Sequence, residues 1–335
     1  MTAPRTLPDG WILAASSFNW TPEIVEARRP AAAIVAGIVA AGVASTLELE
    51  AGQVLRSYPA PNEREVDALR GSITESGGSI AILGASLDDF VSPTMRRSEE
   101  ERLAFLAPQL RAASRLGARG VRLPLGQAGP SLVARLQPLL HDLDLILFEE
   151  IQGQQHPESP SVAPALQAIA DLADPRVRVL VDISMLMPAL PPSYLARLAA
   201  SGVPAGLLAR LAADWRSPDT AGAVGALLRS GGVPPAVHTL YMNLLIRFGR
   251  SSAEDLRGLL PLVGGFHLKF WDLDDEDGRV TGPLRDLGRL LAGSGFRGTL
   301  TSEWGGHEWL DDDPTDITQR HLALAADALA EGAAA

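Results

Sequence analysis

At 335 residues, 46% of them hydrophobic and 21% charged, the chain can build a large core and has the make-up of a soluble globular protein. A net charge of −11 argues against a nucleic-acid partner, which requires clustered Lys and Arg. The lack of any cysteine excludes disulfides, thiolate metal sites and cysteine catalysis, so a metal could only be held by His and carboxylate.

The first residues, MTAPRTLPDGWILAASS, show no basic region followed by an apolar stretch of leader length, and the cytoplasm is the expected location. Trp11–Ser17 reads as a strand, and Thr21-Pro22-Glu23 offers an N-cap followed by proline in the first helical turn. The run from Ala31 to Ala44 is apolar but too short to span a bilayer, so it reads as a buried Ala-rich helix and no membrane association is expected. Further strands are expected at Ser45–Glu50, Ser79–Ala85, Gly120–Leu125, Asp144–Glu150, Val177–Ser184, Gly265–Trp271 and Gly298–Glu303. Helical patterns lie between them. The segment from Ser98 to Leu116, for example, has an acidic first turn and apolar residues at helical spacing. Several strands follow glycine helix stops, such as Leu116-Gly117 and Gly293-Ser294-Gly295.

Eight such units predict one (β/α)8 TIM barrel spanning 1–335. A doubly wound sheet is disfavoured because the first strand, WILAASSFNW, is not followed by a glycine-rich phosphate loop. One unit is oversized, with about eighty residues separating the sixth and seventh strands. Pro188 to Ser251 therefore reads as a helical insertion between strands 6 and 7. It carries Trp215, Tyr241, Met242 and Phe248, and is expected to pack over the barrel mouth and onto another chain. That chain is either a second copy, making a homo-oligomer, or a small partner subunit. The acidic run Asp272 to Gly278 lacks the ligand order of a calcium loop and reads as a turn.

Barrel active sites lie at the C-terminal ends of the strands, and four successive strands end in metal-competent side chains. These are Glu150, Asp182, His267 and Glu303. Glu150 is preferred over Glu149 because it shares a strand face with Ile146, Phe148 and Gln152. Oxygen and imidazole donors suit Mn2+ first, with Mg2+, Co2+ or Zn2+ also possible, and such an ion polarises a sugar carbonyl and acidifies the adjacent carbon. In GGFHLKFWD, residues 264–272, alternate positions share a face, so His267, Lys269 and Trp271 reach into one space. Lys269 either neutralises developing charge and holds a hydroxyl or pairs with Asp272 or Asp274. Arg122, on the fourth strand, either meets a hydroxyl or pairs with Glu150. In SEWGGHEW, His307 stands over the pocket, and Trp304 and Trp309 are candidates for stacking on a sugar or aglycone. His238 is a weaker candidate for a substrate contact, and His141 and His321 read as solvated residues of outer helices.

This pattern resembles the xylose-isomerase-like TIM barrels of the sugar phosphate isomerase/epimerase superfamily, whose last four strands hold a divalent metal with Glu, Asp, His and Glu. It is also similar to the catalytic α subunits of bacterial C-glycoside deglycosidases. Those proteins carry a helical insertion, a Glu-Ile-His motif, an Asp strand, a His-x-Lys-Phe strand and a final Ser-Glu-Tyr. The corresponding places here hold Glu150-Ile151-Gln152, Asp182, His267-Leu268-Lys269-Phe270 and Ser302-Glu303-Trp304.

The resemblance implies β-elimination of 3-oxo-glycosides, in which loss of the proton at C2 leads to expulsion of the aglycone. It implies Glu150 or Glu303 as base and a small β subunit as a possible partner. Gln152 departs from the pattern, because glutamine transfers no proton at neutral pH. It is expected to orient substrate, with Lys269, His307 or His156 taking over proton transfer. The same machinery would support ketose 3-epimerisation or aldose–ketose isomerisation. A non-catalytic sugar-binding or regulatory barrel subunit is the alternative of another class. Gln152 favours that alternative, and the four ligand-type residues count against it.

Overall fold

The computed structural model describes residues 6–335, so the first part of the segment read as lacking a leader lies outside the described residues. Eight strands close a parallel barrel: β1 (Trp11–Ser16), β2 (Thr46–Glu50), β3 (Ser79–Gly84), β4 (Gly120–Pro124), β5 (Ile146–Ile151), β6 (Val177–Asp182), β7 (Val263–Phe270) and β8 (Gly298–Trp304). Each pairs with its neighbours in chain order, and β8 returns to β1. The strands carry continuous apolar runs such as Ile-Ala-Ile-Leu in β3 because helices cover the outside and side chains fill the inside. Expected strand boundaries agree within two residues. The structure adds a short antiparallel hairpin, Phe90–Ser92 with Met95–Arg96, that the sequence reading did not contain.

Local signals explain the outer helices. Ser98 and Glu101 form a reciprocal capping box at the start of the helix Glu99–Leu116, and Gly117, at φ +77°, closes it. The Ala-rich helix runs over Ala31–Ala40, shorter than expected, and buries Ile34, Val35, Ile38 and Val39.

The insertion between β6 and β7 contains the helices Pro192–Ala200, Ala205–Ala213, Pro218–Arg229, His238–Tyr241 and Asn243–Ile246. Its apolar side chains form a core of their own around Tyr194, Leu211, Trp215, Tyr241 and Phe248, and this core includes Trp271 from the end of β7. This corrects the reason given for a second chain. Among the described residues the insertion leaves only one large hydrophobic side chain exposed, Ile246. Its apolar content is satisfied within the molecule.

Candidate metal centre and active site

Strand parity decides which side chains enter the barrel mouth. On β5, Glu149 points outward, where its carboxylate accepts from the Gly126 amide at 3.0 Å, while Glu150 points inward. Asp182 is the last residue of β6; its Oδ1 accepts from the Ser184 amide at 2.7 Å and starts the turn Ile183–Leu186. Asp182 and His267 are register partners on β6 and β7, and Glu303 lies beside Lys269 on β8 and β7. Glu150, Asp182, His267 and Glu303 each offer a ligand atom, and these four atoms lie within 4.8 Å of one another, all on buried residues.

The ring of His267 is fully buried and held at both nitrogens. Its Nε2 lies 3.0 Å from both oxygens of Glu48, so that nitrogen carries a proton and donates it. Its Nδ1 faces Glu150 Oε1 at 2.9 Å and Glu303 Oε2 at 3.0 Å. Burial opposes charge on the imidazole, but Glu48, Glu303 and Glu150 overrule it and raise its proton affinity well above the ordinary value. A metal ion and a second ring proton would compete for that negative pocket.

Arg122 Nε donates to Glu48 at 2.8 Å, its Nη1 to Glu150 at 2.7 Å, and its Nη2 to Glu50. Burial would lift the Glu48 carboxyl, yet His267 and Arg122 hold it below its usual range. Burial outweighs Arg122 at Glu50, which is pushed up to about 7, and outweighs Lys269 at Asp182, which rises to about 6. Glu303 Oε2 stands 3.3 Å from Lys269 Nζ and, although buried, accepts no hydrogen bond of acceptable geometry. Lys269 and a protonated His267 ring supply positive charge beside it, and a bound ion would take the place of the proton on His267 Nδ1. Three carboxylates and one imidazole nitrogen converging there fit a hard or borderline divalent ion.

Above the cluster opens a cavity of about 230 Å³ whose wall includes Gln152, Lys269, Trp271 and Arg122. Gln152 is exposed to it. Lys269 lies over the Phe18 ring at 4.7 Å and pairs with Glu303, not with Asp272 or Asp274. Arg122 reaches the cavity but is committed to three carboxylates, including the Glu150 pairing weighed for it.

Other candidates are not brought in. Trp304 alternates with Glu303 and so faces outward; it is 1% exposed, with its indole nitrogen donating to the Trp271 carbonyl. It cannot stack on a substrate. Trp309 donates to Ser193 and packs on Tyr194. His307 lies against Phe18, its Nε2 buried without a partner, and burial pushes it down to about 4, so it is neutral. His307 is not part of the cavity wall. His156 faces Asp255 at 3.9 Å, away from the site, and His238 is exposed on the insertion. His321 corrects the solvated reading: it is fully buried, stacked on Phe270 at 3.8 Å, with Nδ1 2.8 Å from Ser302 Oγ.

Glu48, Glu50, Phe18 and Arg247 were missed by the sequence reading. For the two glutamates a signal existed, because Thr-Leu-Glu-Leu-Glu puts both on one strand face, and a barrel strand has no solvent face.

Over nearly its whole length the chain is similar to curated proteins. It is 26% identical to the C-glycoside deglycosidase alpha subunit of Arthrobacter globiformis over 327 residues, 95% of this chain and 92% of that one. It is 28% identical to the 3'-dehydrocarminate deglycosidase alpha subunit of a Microbacterium species over 286 residues, 81% of this chain and 82% of that one. Among solved structures, a sugar phosphate isomerase/epimerase from Parabacteroides distasonis superposes with a TM-score of 0.55 at 9% identity, covering 98% of this chain and 96% of that one. No family model matches the chain. No helix among the described residues is long and apolar enough to cross a membrane. The chain is similar along most of its length to proteins named deglycosidase alpha subunits, and it shares its barrel fold with a sugar phosphate isomerase/epimerase.

Proposed function

We propose that the chain is a divalent-metal-dependent deglycosidase that cleaves 3-oxo-glycosides by β-elimination. The observation that carries this reading is the convergence of four buried ligand atoms within 4.8 Å at the floor of an open cavity. The names of the two relatives supply the substrate class. Glu150, Asp182, His267 and Glu303 would hold the ion, with Mn2+ favoured by the oxygen-rich set and Mg2+, Co2+ or Zn2+ compatible with it. When bound, the ion supplies electrophilic stabilisation of the negative charge that forms on the 3-oxo oxygen.

The protein's own groups do the rest. Glu303 is assigned as the base for the proton beside the ketone: Glu150 spends an oxygen on Arg122 at 2.7 Å, and although burial opposes charge on Glu303, Lys269 and His267 keep it ionised and able to accept. Lys269, 3.3 Å from Glu303, orients that carboxylate and adds positive charge where the enolate forms. Gln152 orients a sugar hydroxyl by hydrogen bonding. Arg247 brings the insertion to the cavity wall, so this element closes one side of the mouth and limits water at the enolate. A small second subunit is the partner that the relatives' designation as alpha subunits suggests.

The test is a product screen on 3-oxo-glycosides and free ketoses with Mn2+ in D2O. Aglycone release, with deuterium entering the carbon beside the ketone of recovered substrate, is the expected result. Epimerised or isomerised ketose without aglycone release would establish the epimerase or isomerase reading instead. Complete turnover without label would point to hydrolysis or hydride transfer.

A further inference from the structure

One proton-transfer group on the cavity wall has no role in the metal centre. Glu150, Asp182 and Glu303 belong to the cluster, Arg122 and Arg247 release no proton at neutral pH, and Lys269 pairs with Glu303. Glu50 remains. It ends β2 on the same face as Glu48, one layer nearer solvent, with 21% of its side chain exposed. Around the ring, β2 stands two strands from β8, three from β5 and β7 and four from β6, so Glu50 enters the cavity from the side that carries none of the four ligand-type residues. Its register partner on β3 is Gly84, and a Cβ there would collide with the Glu50 carboxylate. The glycine leaves the carboxylate its place.

Charge counting gives that carboxylate a proton. Five carboxylates, Glu48, Glu50, Glu150, Asp182 and Glu303, surround the cavity floor, against two permanent cations, Arg122 and Lys269, while Arg247 on the wall is balanced by its own partner Glu308. With His267 neutral and a divalent ion in the cluster, one negative charge is in excess. Buried like charges that close do not all ionise. Glu48 is held as an anion by His267 and Arg122 together, whereas Glu50 has Arg122 alone.

We propose that Glu50 is the general acid that protonates the departing aglycone, the proton-transfer role that Gln152 cannot fill. This assignment rests on the β-elimination reading. Glu303 takes the proton beside the ketone, and the electrons of that C–H bond form the enolate. As the carbonyl re-forms, a C=C bond forms to the anomeric carbon and the bond to the aglycone breaks. The aglycone atom leaves with that electron pair and takes the proton from Glu50. The products are an unsaturated 3-oxo sugar and the protonated aglycone. The proton held by Glu303 returns to water while water reprotonates Glu50, so no net proton is consumed.

Leaving-group dependence tests the role, because a weakly basic nitrophenolate needs no proton and an alkoxide or carbon leaving group does. Glu50→Gln, with metal content measured on the same preparation, is compared with the unmodified protein on 3-oxo-glycosides of both kinds. The expected result is a loss of about 10²-fold or more in release of the basic leaving group. Release of nitrophenolate changes by a few-fold at most, solvent exchange beside the ketone persists, and Glu50→Asp recovers part of the rate. Equal losses on both leaving groups, no loss on either, or loss of exchange would overturn the assignment. If the unmodified, metal-loaded protein neither exchanges nor releases any aglycone, the elimination reading falls and the Glu50 role falls with it.

Discussion

His267 owes its orientation to Glu48 on β2, a residue outside the motif that marks the histidine. Glu48 Oε1 and Oε2 both lie 3.0 Å from Nε2, which turns the other nitrogen toward Glu150 and Glu303. Such outer partners fix ring rotation and ligand basicity. Glu48→Gln should therefore lower metal affinity by about 10–100-fold, measured by competition with a chelating dye, while the barrel still folds. Unchanged affinity would show that packing alone sets the ring. The convergence of Glu150, Asp182, His267 and Glu303 was legible in the sequence because each sits at a strand end with the right parity. Parity would also have turned Trp304 away, since Glu303 and Trp304 cannot share a face. Glu48 and Glu50 went unread because alternating Leu and Glu looks like a half-solvated strand, and only closure of the barrel makes both faces interior.

At the scale of elements, the last helix, Pro314–Ala333, is pinned to β8 by a buried histidine that the sequence presented as a surface residue. The i, i+3 and i+4 pattern of this helix is broad enough to hide which polar position faces inward. Burial pushes His321 down to about 3, so it is neutral when folded and becomes protonated in the unfolded chain below its ordinary value. The unfolded state then binds more protons, and stability falls as the pH drops from about 6.5 toward 3, being fully present above that window. Between pH 6.5 and 5 the unmodified protein should lose up to ~1.4 kcal/mol per pH unit more than His321→Gln, read from denaturant titrations at several pH values. Parallel slopes for the two proteins would refute the buried neutral state.

For the whole molecule, the sequence disclosed eight strands, one barrel and an insertion, because helix stops and apolar runs are local signals. It could not disclose where the apolar faces of the insertion would turn, since that is decided by contacts between segments. They close on each other and on Trp271, with Phe248 fully buried between Tyr194, Trp215 and Trp271. Phe248→Ala should cost about 3–5 kcal/mol of local stability. Hydrogen exchange would then rise across 192–248 and leave β1 to β4 protected, whereas uniform loss of protection would mean that barrel and insertion unfold as one unit. Activity of the whole molecule is expected to depend on an ion held by Glu150, Asp182, His267 and Glu303. Elemental analysis of the purified, dialysed protein after loading with Mn2+ tests it most directly: one ion per chain is predicted for the unmodified protein and almost none for Asp182→Ala. Full occupancy in that variant, or no bound ion in the unmodified protein, would contradict it.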